Sequence, residues 1–106
     1  MEKFSFDYSE YSDILHIHMS RCPTKGSVEI GDFTLDFGSK DEIVGVEIEH
    51  ASEFFANVDI NKSSLKILKY ADFTVDKKNP QCQIVFIKLE FLDTVKKIPI
   101  PLPVVS

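Results

Sequence analysis

Apolar and polar residues alternate strictly through most of the first half of the chain. The apolar positions of the first two predicted strands are Phe4, Phe6, Tyr8, Leu15, Ile17 and Met19. Period-two alternation is typical of half-buried β-strands. Antiparallel partners must turn their apolar faces to the same side of a sheet, so residues 9–12 predict a hairpin with Phe6 opposite Leu15. The same register places Tyr8 opposite Asp13.

A second hairpin follows by the same logic. Its apolar positions are Phe33, Leu35, Phe37, Val44, Val46 and Ile48. The loop 38–41 predicts that Leu35 lies opposite Val44. On the outer face, this register sets Asp32 opposite Glu47. Like charges that face each other destabilise a sheet, so a cation, a lysine or a partner subunit is expected near Glu47.

The spacing of apolar residues changes after the second hairpin. Residues 51–58 follow the i, i+3, i+4, i+7 spacing of a helix face, with Ser52 as the expected N-cap. Residues 61–71 fit either a helix or a strand, and a short helix is favoured. Further strands are predicted at 27–30, 73–76, 83–92 and 95–105.

Prolines alternate with large aliphatic residues near the end of the chain, at Pro99, Pro101 and Pro103. Residues of equal parity send their N–H groups toward the same side of a strand, so these prolines remove the donors from one side. The pattern predicts an edge strand that is protected against edge-to-edge association. A polyproline-type ligand for an aromatic groove is the alternative.

These elements predict one α+β domain over residues 1–106. A mostly antiparallel sheet of six or seven strands carries one or two short helices on one face. Residues 4–55 form the two-hairpin part, and residues 56–106 add a helix and a C-terminal hairpin. No apolar run reaches the roughly 18 residues of a membrane span, and no signal peptide is evident. A soluble cytoplasmic protein is expected.

The two cysteines, Cys22 and Cys82, fit neither a zinc motif nor a disulfide framework. Two free thiols are therefore expected, with a single disulfide as the alternative.

Charge is distributed unevenly along the chain, whose net charge is −5. Residues 1–60 hold 13 acidic and 4 basic side chains, whereas residues 61–106 hold 4 acidic and 8 basic ones. The acidic half makes nucleic-acid binding unlikely, because phosphates repel it. The lysines of the second half form either a solvated face or a local basic patch. Complementary halves also favour a homodimer.

Three histidines are candidates for a metal site. His16 and His18 share one strand face, which the predicted register places outside the core, opposite Ser5 and Lys3. A third ligand would come from His50 or from a nearby acid. The lysine ammonium disfavours a cation, so no metal and no cofactor is predicted.

Two further groups are candidate functional positions. Tyr8 and Asp13 point inward together, where the carboxylate can accept hydrogen bonds from turn N–H groups or from the tyrosine hydroxyl. A general base is the alternative role for Asp13. Asp36 and Glu47 lie on the outer face beside Gly45, where they suit a functional or interface role. No nucleotide, protease or hydrolase motif is present, which favours a non-catalytic protein.

The chain resembles the small prokaryotic domain-of-unknown-function family 2283 over about residues 4–55. The matching residues are Tyr8, Asp13, Leu15, Ile17, Leu35, Asp36, Gly45, Glu47 and Ile48. The resemblance implies a small sheet-rich cytoplasmic domain, and some members lie beside toxin-like genes. It implies no established activity.

The favoured interpretation is a non-catalytic protein-binding or regulatory module that forms a homodimer. One alternative is a protein that binds a metal or small ligand through His16, His18 and nearby acids. Another is an antitoxin-like partner of a neighbouring gene product.

Overall fold

The computed structural model describes residues 3–79 and 81–103, and within them eight strands and two short helices follow one another. The strands are β1 Phe4–Ser9, β2 Ile14–Met19, β3 Gly26–Ile30, β4 Phe33–Phe37, β5 Ile43–Glu49, β6 Tyr70–Asp76, β7 Cys82–Glu90 and β8 Val95–Pro103. The helices are α1 Ala51–Phe55, continued by a 3-10 turn at Ala56–Val58, and α2 Lys62–Lys66. The α+β class is confirmed. The strands divide into a five-stranded and a three-stranded sheet.

The first hairpin, β1–β2, forms with a register two residues away from the prediction. Phe6 lies opposite Ile17 and Tyr8 lies opposite Leu15. Asp13 is not opposite Tyr8, because it leaves the strand with a left-handed φ of 56° and belongs to the turn. A shift of two residues preserves the faces, so the predicted inward and outward sets are unchanged.

The second hairpin, β4–β5, is also shifted by two residues, and a β-bulge adds an irregularity. Leu35 lies opposite Val46 rather than Val44, and Thr34, not Asp32, lies opposite Glu47. Between Asp36 and Phe37 the register slips, because β5 holds Val44 as an extra residue. The spacing of apolar residues alone does not predict where the loop between β4 and β5 begins and ends. A bulge adds one residue to β5 without changing the alternation on either side of it.

The five strands from the first half are ordered β1-β2-β5-β4-β3, and every neighbouring pair is antiparallel. The β3–β4 hairpin closes through Gly31-Asp32. Gly31 has φ 57°, whereas Asp32 is not among the residues with positive φ. A positive φ confined to the first central residue fits a type II′ turn, which glycine favours there.

The second sheet is ordered β6-β7-β8, with β8 at an edge. Pro99 lies opposite Phe86 and Pro101 opposite Ile84, while Ile98, Ile100 and Leu102 are buried. The predicted proline-protected edge strand is therefore confirmed, and the alternative of a free polyproline ligand is wrong. The end of the predicted strand, at 104–105, lies outside the described residues.

Helix α1 begins two residues earlier than an N-cap at Ser52 predicts. His50, with φ 54°, occupies the N-cap position, and Ser52 lies inside the helix. The ambiguous segment 61–71 contains both alternatives. Asn61 caps α2 by accepting a 2.9 Å hydrogen bond from the N–H group of Ser64, and the chain then enters β6 at Tyr70.

One hydrophobic cluster joins the two sheets. Its fully buried members include Leu15, Ile17, Ile48, Phe55, Leu65, Val85, Ile87 and Leu89. Strand β6 packs against β1 and β2, and the rings of Phe4 and Phe73 meet edge to face at 5.0 Å. Among the described residues, no helix is long and apolar enough to cross a membrane.

Leu15 tests how far stability depends on this shared core. Its side chain is fully buried, whereas Leu92 is 85% exposed. Leu15→Ala is expected to lower the free energy of unfolding by about 2–5 kcal/mol, and Leu92→Ala by less than about 0.5 kcal/mol. Urea denaturation measures both. Equal losses for the two variants would contradict the described core.

Candidate functional site

A polar face covers the outer side of the five-stranded sheet. We define it by His16, His18, Asp36, Gly45 and Glu47, which come from β2, β4 and β5. All five lie opposite the apolar core, since their sequence neighbours Leu15, Ile17, Leu35, Val46 and Ile48 are buried. The predicted outward orientation of the two histidines is therefore confirmed.

Strand pairing gives the histidines different neighbours from those predicted. His16 lies between Asp7 and Glu47, and His18 lies between Ser5 and Gly45. The register shift in β1–β2 thus places an acid beside His16 and removes Lys3 from its expected place opposite His18. The expected electrostatic argument against a cation no longer applies to this face.

The carboxylate of Asp36 is less exposed than the imidazole of His16 on the polar face. Its Oδ1 accepts a hydrogen bond of 2.8 Å from the hydroxyl of Ser27, and its Oδ2 lies 3.3 Å from Nε2 of His16. The side chain of Asp36 is 14% exposed, compared with 41% for His16. Partners on both sides satisfy this carboxylate and hold it in one orientation.

His18 is held through both ring nitrogens. Nδ1 lies 2.8 Å from the carbonyl oxygen of Met19, and Nε2 lies 2.9 Å from the hydroxyl of Thr24. A carbonyl can only accept, so Nδ1 donates to it, and Nε2 bonds the hydroxyl of Thr24, which can donate or accept. The rings of His16 and His18 lie 5.7 Å apart, edge to face.

Gly45 makes room for this arrangement. A Cβ atom at this position would lie 2.6 Å from Oδ2 of Asp36 and 2.6 Å from Cδ2 of His18. Real Cβ atoms do not come so close to other heavy atoms. The mid-strand glycine therefore lets a carboxylate and an imidazole approach over the backbone of β5.

His50 does not join the other two histidines. Its Nδ1 lies 3.3 Å from Oδ1 of Asp32. Among residues 3–79 and 81–103, the group Asp32, Glu49 and His50 is the one whose ligand-type atoms all lie within 4.8 Å of one another. These three side chains are exposed. The hydrogen bond and the charge of Asp32 raise the pKa of His50.

The grouping of Asp32 with His50 was missed in the sequence because it depends on the register of β4–β5. The N–H group of Glu49 donates a 2.8 Å hydrogen bond to the carbonyl of Asp32, which brings the β3–β4 turn beside the end of β5. The predicted register instead placed Asp32 beside Glu47.

Tyr8 and Asp13 come together, and Ser52 joins them. The hydroxyl of Tyr8 donates to Oδ1 of Asp13 at 2.6 Å, and the hydroxyl of Ser52 donates to Oδ2 at 2.7 Å. The N–H group of Ser52 donates to the same carboxylate at 3.1 Å, and that of Ala51 donates to the carbonyl of Asp13 at 3.0 Å. We call these contacts the Asp13 latch. It supplies acceptors to the first turn of α1, whose N–H groups have none within the helix.

The latch shifts the pKa values of both its titratable groups. Burial alone would raise the pKa of Asp13, but the hydrogen bonds from Tyr8 and Ser52, with the positive charge of Lys62, lower it below 3.8. Burial raises the pKa of the Tyr8 hydroxyl, and its hydrogen bond to the carboxylate raises it further. Asp13 is therefore ionised at neutral pH and acts as a hydrogen-bond acceptor.

Lysines of the second half gather at the outer side of the three-stranded sheet. Lys77, Lys78 and Lys97 line an open hollow of about 550 Å³ that also contains Phe86. The ammonium group of Lys97 lies 5.1 Å from the centre of the Phe86 ring. Lys88 instead pairs with acids of its own sheet, at 3.4 Å from Asp72. The basic patch is thus small and partly neutralised.

Comparison with known proteins gives a family match over part of the chain. Residues 5–52 match the family model described as "Protein of unknown function (DUF2283)". No curated protein and no solved structure matches the chain significantly. The matched segment contains the five strands of the first sheet except Phe4, the first residue of β1, and ends at Ser52, the residue that closes the Asp13 latch.

Asp13→Asn tests the latch through its dependence on pH. Asparagine tolerates the left-handed backbone but removes the charge, so the variant is expected to lose about 1–3 kcal/mol of unfolding free energy at pH 7. Because folding lowers the pKa of Asp13, its contribution is present above 3.8 and is lost as the pH falls through the folded value.

Urea melts of both proteins between pH 2 and 7 measure this difference. It should shrink as the pH falls below about 4. A difference that stays constant over the whole range would show that the charge of Asp13 contributes nothing.

Gly45→Ala tests the close approach on the polar face. The new methyl group must displace Asp36 or His18, so we expect a loss of about 1–3 kcal/mol in unfolding free energy and altered imidazole NMR signals of His18. Gly26→Ala is the matched control, because a Cβ atom there meets nothing within 4 Å. Equal effects of the two substitutions would argue against the described packing.

Proposed function

We propose that this chain, whose residues 5–52 match the DUF2283 family model, is a non-catalytic protein-binding module. Its polar face would contact a partner protein that presents basic side chains. The observation that carries the proposal is the ordered, half-buried set of acids and histidines on the outer side of the five-stranded sheet.

The shape of the polar face suits a protein surface. It is built on the outer side of neighbouring strands, and the side chains of His16 and Glu47 are only half-buried there. Three open hollows lined by described residues, of about 550, 520 and 170 Å³, lie elsewhere and include no residue of the polar face. A polar surface spread over the outer side of three neighbouring strands is more typical of a protein contact than of an enclosed small-molecule site.

The order of the polar face lowers the cost of binding. Asp36 and His18 are each held by two hydrogen bonds before any partner arrives. Side chains that are already fixed lose less conformational entropy on association. The surface is therefore organised as a contact site without a bound ligand.

The charge of the polar face indicates the chemistry of the partner. Glu47 and Asp36 lie on this face together with Asp7, which lies opposite His16 in the β1–β2 register. In the hydrogen bonds and ion pairs between described residues, the Glu47 carboxylate takes no part. An arginine or lysine of a partner would satisfy it and would gain from the acidic field of residues 1–60.

A charge reversal at Glu47 tests the proposal. The tagged wild type and the variants Glu47→Lys and Glu53→Lys are used to capture proteins from the source organism, and the recovered partner is then purified for calorimetry. Glu53 is an exposed acid of α1 outside the polar face. We expect Glu47→Lys to raise the dissociation constant at least about tenfold, and Glu53→Lys to leave it nearly unchanged.

Equal affinities of the two variants for that partner would contradict the proposed surface. If the partner is the product of an adjacent toxin-like gene, the same measurement supports the antitoxin-like version of the proposal.

A second candidate function is binding of a metal or small ligand through His16, His18 and nearby acids. The proximity of the two imidazoles, with Asp36 at 3.3 Å from His16, favours it. Elemental analysis of the purified protein and thermal melts with and without a chelator test this candidate. A protein free of metal, with an unchanged melting temperature, would exclude the metal.

We further propose that the module forms a homodimer in the cytoplasm. The opposite charges of the two halves favour association of subunits. Cys22 and Cys82 are both free thiols, which fits a reducing compartment.

A further inference from the structure

We infer that two copies of the chain join edge to edge through β3, with a two-fold axis at Val28, so that their five-stranded sheets become continuous. This inference specifies the interface of the homodimer proposed above and rests on that part of the proposal alone. It does not depend on whether the polar face binds a partner protein.

Strand β3 is an open edge. It ends the sheet order β1-β2-β5-β4-β3, and among residues 3–79 and 81–103 its strand partner is β4 alone. Four of its five residues, from Gly26 to Glu29, are exposed. An edge strand presents unpaired N–H and C=O groups, which are a template for another strand.

The direction of these groups follows from the β3–β4 hairpin. Its two-residue turn is closed by the pair Ile30 and Phe33. The closing pair of such a turn exchanges both backbone hydrogen bonds, and bonded and non-bonded pairs then alternate. Gly26, Val28 and Ile30 therefore bond toward β4, while Ser27 and Glu29 direct their backbone groups outward.

The other strand edges differ from β3, since β6, at one edge of the small sheet, packs against β1 and β2 of the large one. The outward side of β8 lacks donors at Pro99, Pro101 and Pro103, as described above. Strand β1, at the opposite edge of the large sheet, is contacted by β6 and α2. Strand β3 contains no proline and no lysine, and its pairing with β4 shows no bulge. The proline and lysine devices against edge pairing are thus absent from β3, and Glu29 is its single charged side chain.

The core face of the sheet supports a partner at this edge. One row of side chains crosses all five strands in the order Phe6, Ile17, Val46, Leu35 and Val28. The residue exposures are 0%, 1%, 5% and 43% from Ile17 to Val28. A second copy would continue this row and cover the exposed valine with its own.

Charge selects the register of the pair. With antiparallel strands centred on Val28, this residue faces the same valine of the second copy, and Glu29 faces the other copy's Ser27. No like charges then lie opposite each other, because Ser27 is neutral and its hydroxyl already donates to Asp36 within its own subunit. The outward backbone groups of Ser27 and Glu29 form the hydrogen-bonded pairs, which matches the direction derived above.

The interface is small, because each copy contributes five strand residues. Such an area is typical of a weak association, and we expect a dissociation constant on the order of micromolar. Light scattering after size exclusion, from about 1 to 500 μM, should show a shift from monomer to dimer mass. A monomer throughout would overturn this inference and the homodimer proposal together.

A charge pair at the axis locates the interface. Val28→Lys and Val28→Glu should each raise the dissociation constant at least about tenfold, because like charges meet where two valines were buried. Mixed in equal amounts, the two variants should recover the dimer. Recovery cannot come from misfolded protein, so this mixture separates a lost interface from a lost fold.

A proline at the edge provides an independent test. Glu29→Pro removes an outward N–H donor and should abolish the dimer, whereas Glu29→Thr keeps the donor and should retain it. Val95→Lys is the matched control, because Val95 is an exposed valine of the protected edge strand. A dimer unaffected by Val28→Lys and Glu29→Pro would overturn the β3 interface while leaving the homodimer proposal intact.

Discussion

The Asp13 latch is the interaction on which the arrangement of the chain depends. Asp13 ends the β1–β2 turn, and its carbonyl and carboxylate accept from the first N–H groups of α1, which lies 38 residues later. Because Tyr8 donates to the same carboxylate, one side chain connects the first hairpin to the point where the chain leaves the five-stranded sheet. Without it, the buried start of α1 would keep unpaired donors, whose cost is about 1–3 kcal/mol each. The contacts of Asp13 with Ala51 and Ser52 thus set the direction in which the chain continues after the five-stranded sheet.

The faces of the strands could be predicted from the sequence, but their registers could not. Alternation has a period of two, so it determines parity and leaves every even shift equally acceptable. Turn chemistry decides between these shifts, and here it involves a left-handed Asp13 and a bulge at Val44. Neither feature can be recognised in the sequence, since aspartate is common in ordinary loops and Val44 continues an apolar run. The outward position of His16 was therefore predictable, whereas its neighbour Asp7 and the grouping of Asp32 with His50 were not.

The division into two sheets could not be predicted from the sequence either. Strand β7 has apolar residues on both faces, which suggested a central strand within one sheet. It is central, but in the three-stranded sheet, where Val85 and Ile87 face the shared core and Phe86 is half-buried beneath Lys97. The pattern of apolar residues along a strand indicates how much of the strand is covered, but it does not indicate which layer covers it. The number of layers depends on contacts between distant segments, such as β6 with β1.

The position of the family match explains why the polar face, rather than the core face, is the surface to consider for function. The matched residues 5–52 form a single sheet, and a sheet with one apolar face must cover it. In this chain the helices and β6–β8 provide that cover, and one hydrophobic cluster joins the two parts. The core face is consequently occupied by the chain itself. The outer face remains available across β2, β5 and β4, where Gly45 lets the half-buried carboxylate of Asp36 and the ring of His18 approach the backbone of β5.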